Sequence, residues 1–159
     1  MKKQSLELNL RNLLAQEELL TAQETGPPYI IQEDIFSDCV QVWKQASMQM
    51  WKLCKANGIR YIHLLQPNQY VKGSKRLTDK EEKLLAIGGP EYVYRQGAEQ
   101  GYPHLIAAGK SLKQVGLPFT DFTDIFKNEQ GTIYKDNCCH FNDRGNKILA
   151  ARIVRLLAE

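Results

Sequence analysis

The chain has 159 residues, a length that suits one domain of ordinary size, and apolar side chains make up 43% of it, which is enough for a buried core. Its formal charge of +3 is small and its Lys and Arg residues are dispersed without a basic stripe, so the sequence gives no support to nucleic-acid binding. No apolar run approaches the ~18 residues that a membrane-spanning helix requires, and we expect no membrane span.

The N-terminal segment begins with basic residues but then mixes Glu, Asn, Arg and Gln into its apolar positions. A signal peptide needs an uninterrupted apolar stretch, so we expect none, and a cytoplasmic location if the chain is complete. Of the four cysteines, Cys39 and Cys54 fall on the apolar face of a predicted helix, whereas Cys138 and Cys139 are adjacent. This spacing is not that of a disulfide framework, and a reducing compartment is the simpler interpretation.

Two helices are predicted before the first strand. Leucines at helical spacing indicate an amphipathic helix over Leu6–Gln23, and the Thr-Gly-Pro-Pro segment at 25–28 ends it because proline cannot continue a helix. The second helix begins after Asp34, an N-capping residue type, and ends at Asn57-Gly58, where Gly readily takes the left-handed conformation. Its apolar stripe comprises Phe36, Val40, Trp43, Ala46, Met50, Leu53 and Cys54.

A buried strand is predicted directly after this stop. Residues 59–65 form a nearly continuous apolar run of strand length, which favours a strand covered on both faces, as in a parallel sheet. The polar exit that follows, 66–68, completes an α/β unit. In such folds the loops at the C-terminal ends of the strands carry the site.

The rest of the chain predicts further helices and a second strand. A short helix starts near Thr78, and another is expected within 91–103. Pro103 favours the first position of the next helix, which Gly116 closes. The remaining elements are a strand at Phe119–Phe122, a loop at 124–131 and a helix at Asp143–Leu157 that is capped by Asn142.

The densest chemistry lies just before this last helix, where Asp136 and His140 are four residues apart. A catalytic His needs an acceptor on Nδ1 to fix its tautomer and orientation, which leaves Nε2 free to take a proton from a nucleophile. A loop lets a carboxylate a few residues upstream serve that purpose. The alternative is that Asp136 caps the turn and His140 is a satisfied surface residue.

Cys138, Cys139 and His140, with or without Cys54, are the candidate metal ligands. Zinc sites usually space their cysteines by two to four residues so that both sulfurs point at one ion, and this adjacent pair is a poor match. We therefore expect no metal. Packing of the thiols as small hydrophobic groups is the favoured role, and a Cys nucleophile paired with His140 stays open.

Two polar residues at the exit of the first strand are further site candidates. Gln66 and Asn68 are placed either to bond to a substrate or to hold the His140 loop. A turn held by Pro67 and Asn68 is the alternative. Ser74 follows no strand-to-helix elbow and has no local base, so we do not expect it to act as a nucleophile.

A near-terminal Asp and His followed by a polar residue, a Gly and an apolar helix resembles the last sequence block of the SGNH hydrolases, the GDSL-type esterases. Here the block runs from Asp136 through His140 to Gly145 and into the helix. Upstream pieces are similar, in the same order, to one bacterial branch of that family. They are Trp43–Met50, YIHLLQPNQY at 61–70, GSK at 73–75, GYPHL at 101–105 and GLPFTDFT at 116–123.

The resemblance implies an α/β fold, a three-layer α/β/α sandwich with a parallel sheet, here incomplete. It places a single domain over 1–159, with an N-terminal helix and linker at 1–28 and the matching region at 29–159. It implies hydrolysis of a carboxylic ester, or of a carbohydrate O-acetyl ester, through a Ser–His–Asp triad without metal or organic cofactor. Asp136 would orient His140, the general base. The family usually places Asp three residues before His, where this chain has Asn137.

The larger departure is that the chain lacks the family's Gly-Asp-Ser nucleophile block and its oxyanion-hole blocks. It resembles a C-terminal portion that supplies the His and the Asp only. An open sheet edge would then favour self-association or pairing with a missing N-terminal segment. The alternative is a truncated or degenerate SGNH-like protein without catalysis, which acts as an interaction partner.

Overall fold

In the computed structural model, which describes residues 34–158, four helices and two short parallel strands follow one another along the chain. This mixture of helix and parallel sheet is compatible with the predicted α/β class. The helix predicted over Leu6–Gln23 lies outside the described residues. No helix of the described part is both long and apolar enough to cross a membrane.

Helix α1, Ile35–Ala56, begins and ends where the sequence predicts. The Asp34 carboxylate accepts the backbone N–H groups of Phe36 and Ser37, each at 2.9 Å. These two donors would otherwise lack a partner in the first turn of the helix. At the other end Gly58, with φ of 67°, turns the chain out of the helix.

The sheet pairs two strands in parallel. Strand β1, His63–Leu65, lies beside strand β2, Phe119–Asp121, with the first residues of the two strands opposite each other. The strand predicted over 59–65 is therefore shorter than expected. The reason lies at its start, because the Ile59 N–H donates to Cys54 O at 2.8 Å and so belongs to the end of α1.

Helix α2, Asp79–Leu85, begins directly after Thr78, as predicted. Thr78 and Glu81 form a capping box, in which each side chain accepts the backbone N–H of the other.

Helix α3, Val93–Gln114, corrects the prediction of two helices. Pro103 does not open a new helix but lies inside a single one. An internal proline removes one backbone hydrogen bond and crowds the carbonyl four residues earlier. Packing of α3 against α1 and against both strands holds the helix together in spite of that loss.

Helix α4, Asp143–Ala158, begins after Asn142, whose side-chain oxygen accepts the Gly145 N–H at 3.0 Å. The predicted cap is confirmed. The apolar face of this helix is only partly buried, since Leu157 is 51% exposed.

Two clusters of buried apolar side chains hold these elements together. The first lies where α3 meets the strands and comprises Leu65, Leu112, Leu117 and Phe119. The second lies at the segment that leads into α4 and comprises Phe126, Ile133, Tyr134 and Phe141. The second cluster anchors both ends of the loop that contains Asp136 and His140.

Candidate functional site

The loop with Asp136 and His140 is closed at its base by a short antiparallel contact. Tyr134 bridges to Phe141, and the Lys135 N–H donates to His140 O at 3.0 Å. The rings of Tyr134 and Phe141 are buried, with their centroids 5.6 Å apart. Because both ends are anchored in the core, the residues between them have few conformations open to them.

Inside the loop the two predicted residues form a hydrogen-bonded pair. His140 Nδ1 lies 2.6 Å from Asp136 Oδ2. The other carboxylate oxygen, Oδ1, accepts the backbone N–H groups of Cys138 at 2.9 Å, Cys139 at 3.2 Å and His140 at 3.3 Å. The imidazole is 63% exposed. With Nδ1 engaged, Nε2 is the nitrogen left to act on a bound molecule.

The same contacts set the charge of the carboxylate. Partial burial acts to raise the pKa of Asp136, but the hydrogen bonds from the His140 side chain and from the loop backbone lower it below its ordinary value. The carboxylate is therefore ionised at neutral pH, and an ionised carboxylate is an acceptor for an Nδ1–H of the His140 ring. This contact favours the tautomer with the hydrogen on Nδ1 and the lone pair on Nε2.

Two residues that the sequence analysis did not name as site candidates donate hydrogen bonds to the loop backbone. Gln69 Nε2 donates to Asp136 O at 3.2 Å, and the Tyr70 hydroxyl donates to Asn137 O at 2.7 Å. Both side chains are buried. Their position directly after the strand exit is the sequence signal that could have identified them, because loops at that end of a parallel sheet gather around the site.

The two predicted strand-exit residues differ in their surroundings. Gln66 is exposed, and its backbone carbonyl accepts the Tyr102 hydroxyl at 3.1 Å. Asn68 is only 1% exposed, its Oδ1 accepts the Tyr70 N–H at 3.0 Å, and its Nδ2 donates to the Tyr94 hydroxyl at 2.8 Å. Asn68 therefore organises the turn, whereas the Gln66 side chain is open to a ligand.

A buried ion pair fixes the segment that leads into the loop. Glu81 is fully buried, and its Oε1 accepts the N–H groups of Ile133 at 2.8 Å and Tyr134 at 3.0 Å. Its Oε2 accepts Lys75 Nζ at 2.7 Å and the Thr78 N–H at 2.8 Å. Burial acts to raise the pKa of Glu81, but these hydrogen bonds outweigh it and lower the pKa below its ordinary value.

The cysteines of the loop are neighbours in space as well as in sequence. Cys138 Sγ and Cys139 Sγ lie 3.6 Å apart, whereas Cys54 belongs to α1. Among residues 34–158, no three His, Cys, Asp or Glu side chains converge as a metal site would require.

The two buried serines of the described chain form hydrogen bonds with residues other than His140. Ser47 Oγ is buried and hydrogen-bonds to His63 Nδ1 at 2.5 Å, and Ser74 Oγ donates to Asn68 O at 3.0 Å. Burial lowers the pKa of His63, so that imidazole is neutral and serves as a core partner of Ser47. Within residues 34–158, no serine hydroxyl hydrogen-bonds to His140.

A cleft of about 780 Å³ lies between the segment after β1 and helix α3. Its lining comprises Tyr70, Val71, Lys72, Glu99, Tyr102, Pro103 and Ile106. Tyr70 belongs both to this wall and, through its hydroxyl, to the support of the loop. One side chain therefore connects the cleft to the loop backbone at Asn137.

No protein-family model, no curated protein and no solved structure matches the chain. The chemistry of the site therefore follows from its own residues.

Proposed function

We propose that the chain supplies the base-bearing portion of an SGNH-type ester hydrolase. The observation that carries this proposal is the 2.6 Å contact between His140 Nδ1 and Asp136 Oδ2. An ionised carboxylate on Nδ1 and a free Nε2 are what general base catalysis requires of a histidine. The exposed position of the imidazole supports access by a substrate.

In the proposed reaction His140 Nε2 takes the proton of a serine hydroxyl while the serine oxygen attacks the ester carbonyl. Asp136 stabilises the imidazolium, whose proton then passes to the leaving alcohol. Water releases the acid from the acyl-enzyme by the same two proton transfers. The substrate is a carboxylic ester or a carbohydrate O-acetyl ester, and the reaction needs no metal or organic cofactor.

The serine and the oxyanion donors would come from outside the described residues. Strand β1 pairs with β2 on one side and with no strand of the described part of the chain on the other. The sheet can be extended at this second edge of β1. Added strands that carry a Gly-Asp-Ser block would place a nucleophile at the same end of the sheet as the loop. The complete fold would then be a three-layer α/β/α sandwich.

The cleft between the segment after β1 and helix α3 is the proposed place for the substrate. Tyr70 and Tyr102 give it aromatic walls, and Lys72 and Glu99 add charged groups. Apolar walls with a few polar groups are typical of sites for small organic molecules. Gln66, exposed at the strand exit, is the proposed polar contact to the substrate.

The test begins with the DNA upstream of codon 1 and with neighbouring genes, which are searched for an encoded Gly-Asp-Ser segment. The longer product, or the two chains together, is then assayed with p-nitrophenyl acetate and a fluorophosphonate probe. We expect hydrolysis and serine labelling. His140→Ala should lower kcat by at least about 10³-fold because it removes the base. His104→Ala, at an exposed histidine that stacks on Phe36, should leave kcat unchanged.

The 159-residue chain by itself should stay unlabelled and should hydrolyse the ester only at the background rate. Labelling of a serine within residues 34–158 would contradict the placement of the nucleophile elsewhere. Full activity of His140→Ala in the longer product would contradict the role of the Asp136–His140 pair.

A non-catalytic interaction partner is the second candidate function. It is favoured by the finding that no described serine hydrogen-bonds to His140. This candidate predicts a stable complex with a strand-bearing partner that does not react with the fluorophosphonate probe.

A further inference from the structure

The two thiols of the site loop converge, although side chains of adjacent residues in an extended chain point to opposite sides. Cys138 Sγ lies 3.6 Å from Cys139 Sγ. Asp136 Oδ1 fixes the turn by accepting the N–H groups of both cysteines, at 2.9 and 3.2 Å. Both side chains are partly exposed, so a small reagent can reach the pair.

We propose that Cys138 and Cys139 form a dithiol site that binds trivalent arsenic, with one arsenic atom bridging both sulfurs. Thiolate sulfur is a soft ligand that selects soft acceptors. A trivalent arsenical that carries one organic group, such as phenylarsine oxide, needs two sulfurs from the protein, whereas a structural zinc ion takes four ligands. Among residues 34–158 no third ligand converges on the two cysteines. The pair therefore fits an acceptor that needs two sulfurs rather than one that needs four ligands.

The reaction balances without an oxidant or a reductant. With phenylarsine oxide as the reactant, each thiol gives up its proton and forms one As–S bond. The arsenic–oxygen bond breaks, and the oxygen leaves with the two protons as water. Arsenic remains trivalent and both sulfurs keep their oxidation state.

The surroundings of Cys138 keep its thiol in the protonated form. Burial and the neighbouring Cys139 thiol raise the pKa of Cys138, and the Asp136 carboxylate acts in the same direction. Cys138 is therefore protonated at neutral pH, and a protonated thiol is a weak nucleophile towards alkylating reagents. In the reaction with the arsenical, the Cys138 proton leaves with the arsenical's oxygen as part of a water molecule.

The Tyr94 hydroxyl completes the environment of the sulfur pair. It interacts with both thiols and accepts Asn68 Nδ2 at 2.8 Å. Burial and the Cys139 thiol raise the pKa of Tyr94, so it stays a neutral phenol. Tyr94 thus gives the pair a hydroxyl neighbour without adding a negative charge.

Titration of the reduced full chain with phenylarsine oxide, followed by intact mass spectrometry and thiol counting, tests the proposal. We expect one adduct per chain and the loss of two of the four free thiols. Excess ethanedithiol should reverse the adduct, whereas glutathione at the same thiol concentration should not. Peptide mapping of the wild-type chain should place the adduct on Cys138 and Cys139.

Two double variants make a matched pair. Cys39→Ser/Cys54→Ser, which removes the two cysteines of α1, should bind as the wild type does. Cys138→Ser/Cys139→Ser should lose the adduct, and Cys139→Ser alone should weaken binding about 100-fold because the second bond is no longer intramolecular.

Circular dichroism checks that each variant is folded, and the wild-type mapping does not depend on any variant. Unchanged affinity in a folded Cys138→Ser/Cys139→Ser chain would overturn the proposal. So would a wild-type adduct that maps to Cys39 or Cys54. His140→Ala should bind arsenic normally, so the result is independent of the proposed hydrolase function.

Discussion

The Asp136 carboxylate uses its two oxygens for different tasks. Oδ1 accepts backbone N–H groups and so gives the loop its shape, while Oδ2 faces the imidazole of His140. The sequence left two interpretations of Asp136 open, a turn cap and an orienter of His140. The contacts of its two oxygens fit both. Catalysis by the pair stays a proposal.

Asp136→Asn is expected to release the His140 imidazole from a single tautomer. The carboxylate accepts Nδ1–H, whereas an amide can present either its oxygen or its NH₂ group to the ring. Nitrogen-15 NMR of the ring at alkaline pH should show the Nδ1–H form in the wild type and an average of both tautomers in the variant. In a serine-containing complex kcat should fall by up to about 10⁴, as for the equivalent change in a serine protease.

His104 is the internal control for this experiment because it is exposed on α3, away from the loop sequence. Its ring signals should be the same in both proteins. A wild-type His140 that already populates both tautomers would contradict the orienting role of Asp136.

Between elements, the Glu81 carboxylate connects α2 to the segment before the loop. It binds the backbone N–H groups of Ile133 and Tyr134, and it is paired with the equally buried Lys75. Removing one partner of a buried pair leaves the other charge without compensation. The position of the loop thus depends on a residue far from it in sequence.

Glu81→Gln should lower the free energy of unfolding at pH 7 by roughly 3 kcal/mol, because Lys75 is left buried without its partner. The folded-state pKa of Glu81 lies below its ordinary value of 4.5. Its stabilising effect is therefore fully present above about pH 4.5 and is lost as the pH falls through the folded value. Urea unfolding at several pH values should show the two proteins converging in acid.

The exposed neighbour Glu82 provides the control, since Glu82→Gln removes the same charge from the same helical turn. Its effect should stay within about 0.5 kcal/mol at every pH. A Glu81→Gln protein as stable as the wild type at pH 7 would show that the ion pair does not hold the fold.

A Gly→Ala substitution should have opposite effects on stability at two glycines of α3. A Cβ on Gly109 would lie 2.1 Å from Phe119 Cζ, so Gly109→Ala must displace that ring and should destabilise the chain by about 1–3 kcal/mol. A Cβ on Gly97 meets nothing within 4 Å, so Gly97→Ala should stabilise it by roughly 0.5–1 kcal/mol. Urea unfolding measures both, and equal effects would contradict the close approach of α3 to β2.

Local sequence signals account for much of this architecture. Asp34, Gly58 and Asn142 mark helix ends because a cap acts within one turn of the chain. The Asp136–His140 contact is local in the same sense. Pro103 was misleading because packing, which no short window contains, holds its helix together. The Glu81 contact with Ile133 spans 52 positions and leaves no trace in a local pattern.

Four exposed apolar side chains of the described chain lie on one face of α1. This face comprises Ile35, Val42, Met50 and Leu53, each more than half exposed. Their spacing places them on one side of the helix, and the opposite side packs against α3. A small net charge of +3 gives little repulsion between copies. The second edge of β1, which pairs with no strand among residues 34–158, and this face together favour association with a second copy.

Val42→Lys is expected to weaken self-association of the chain. Val42 is 55% exposed in the centre of the apolar face, and a lysine there adds a charge that must be desolvated in a contact between two copies. Sedimentation velocity over a concentration series should show a weight-average mass that rises with concentration in the wild type and rises less in the variant. Val93→Lys, at a valine 79% exposed at the start of α3, adds the same charge outside this face and should sediment like the wild type. A wild-type chain that keeps the monomer mass at all concentrations would contradict the prediction.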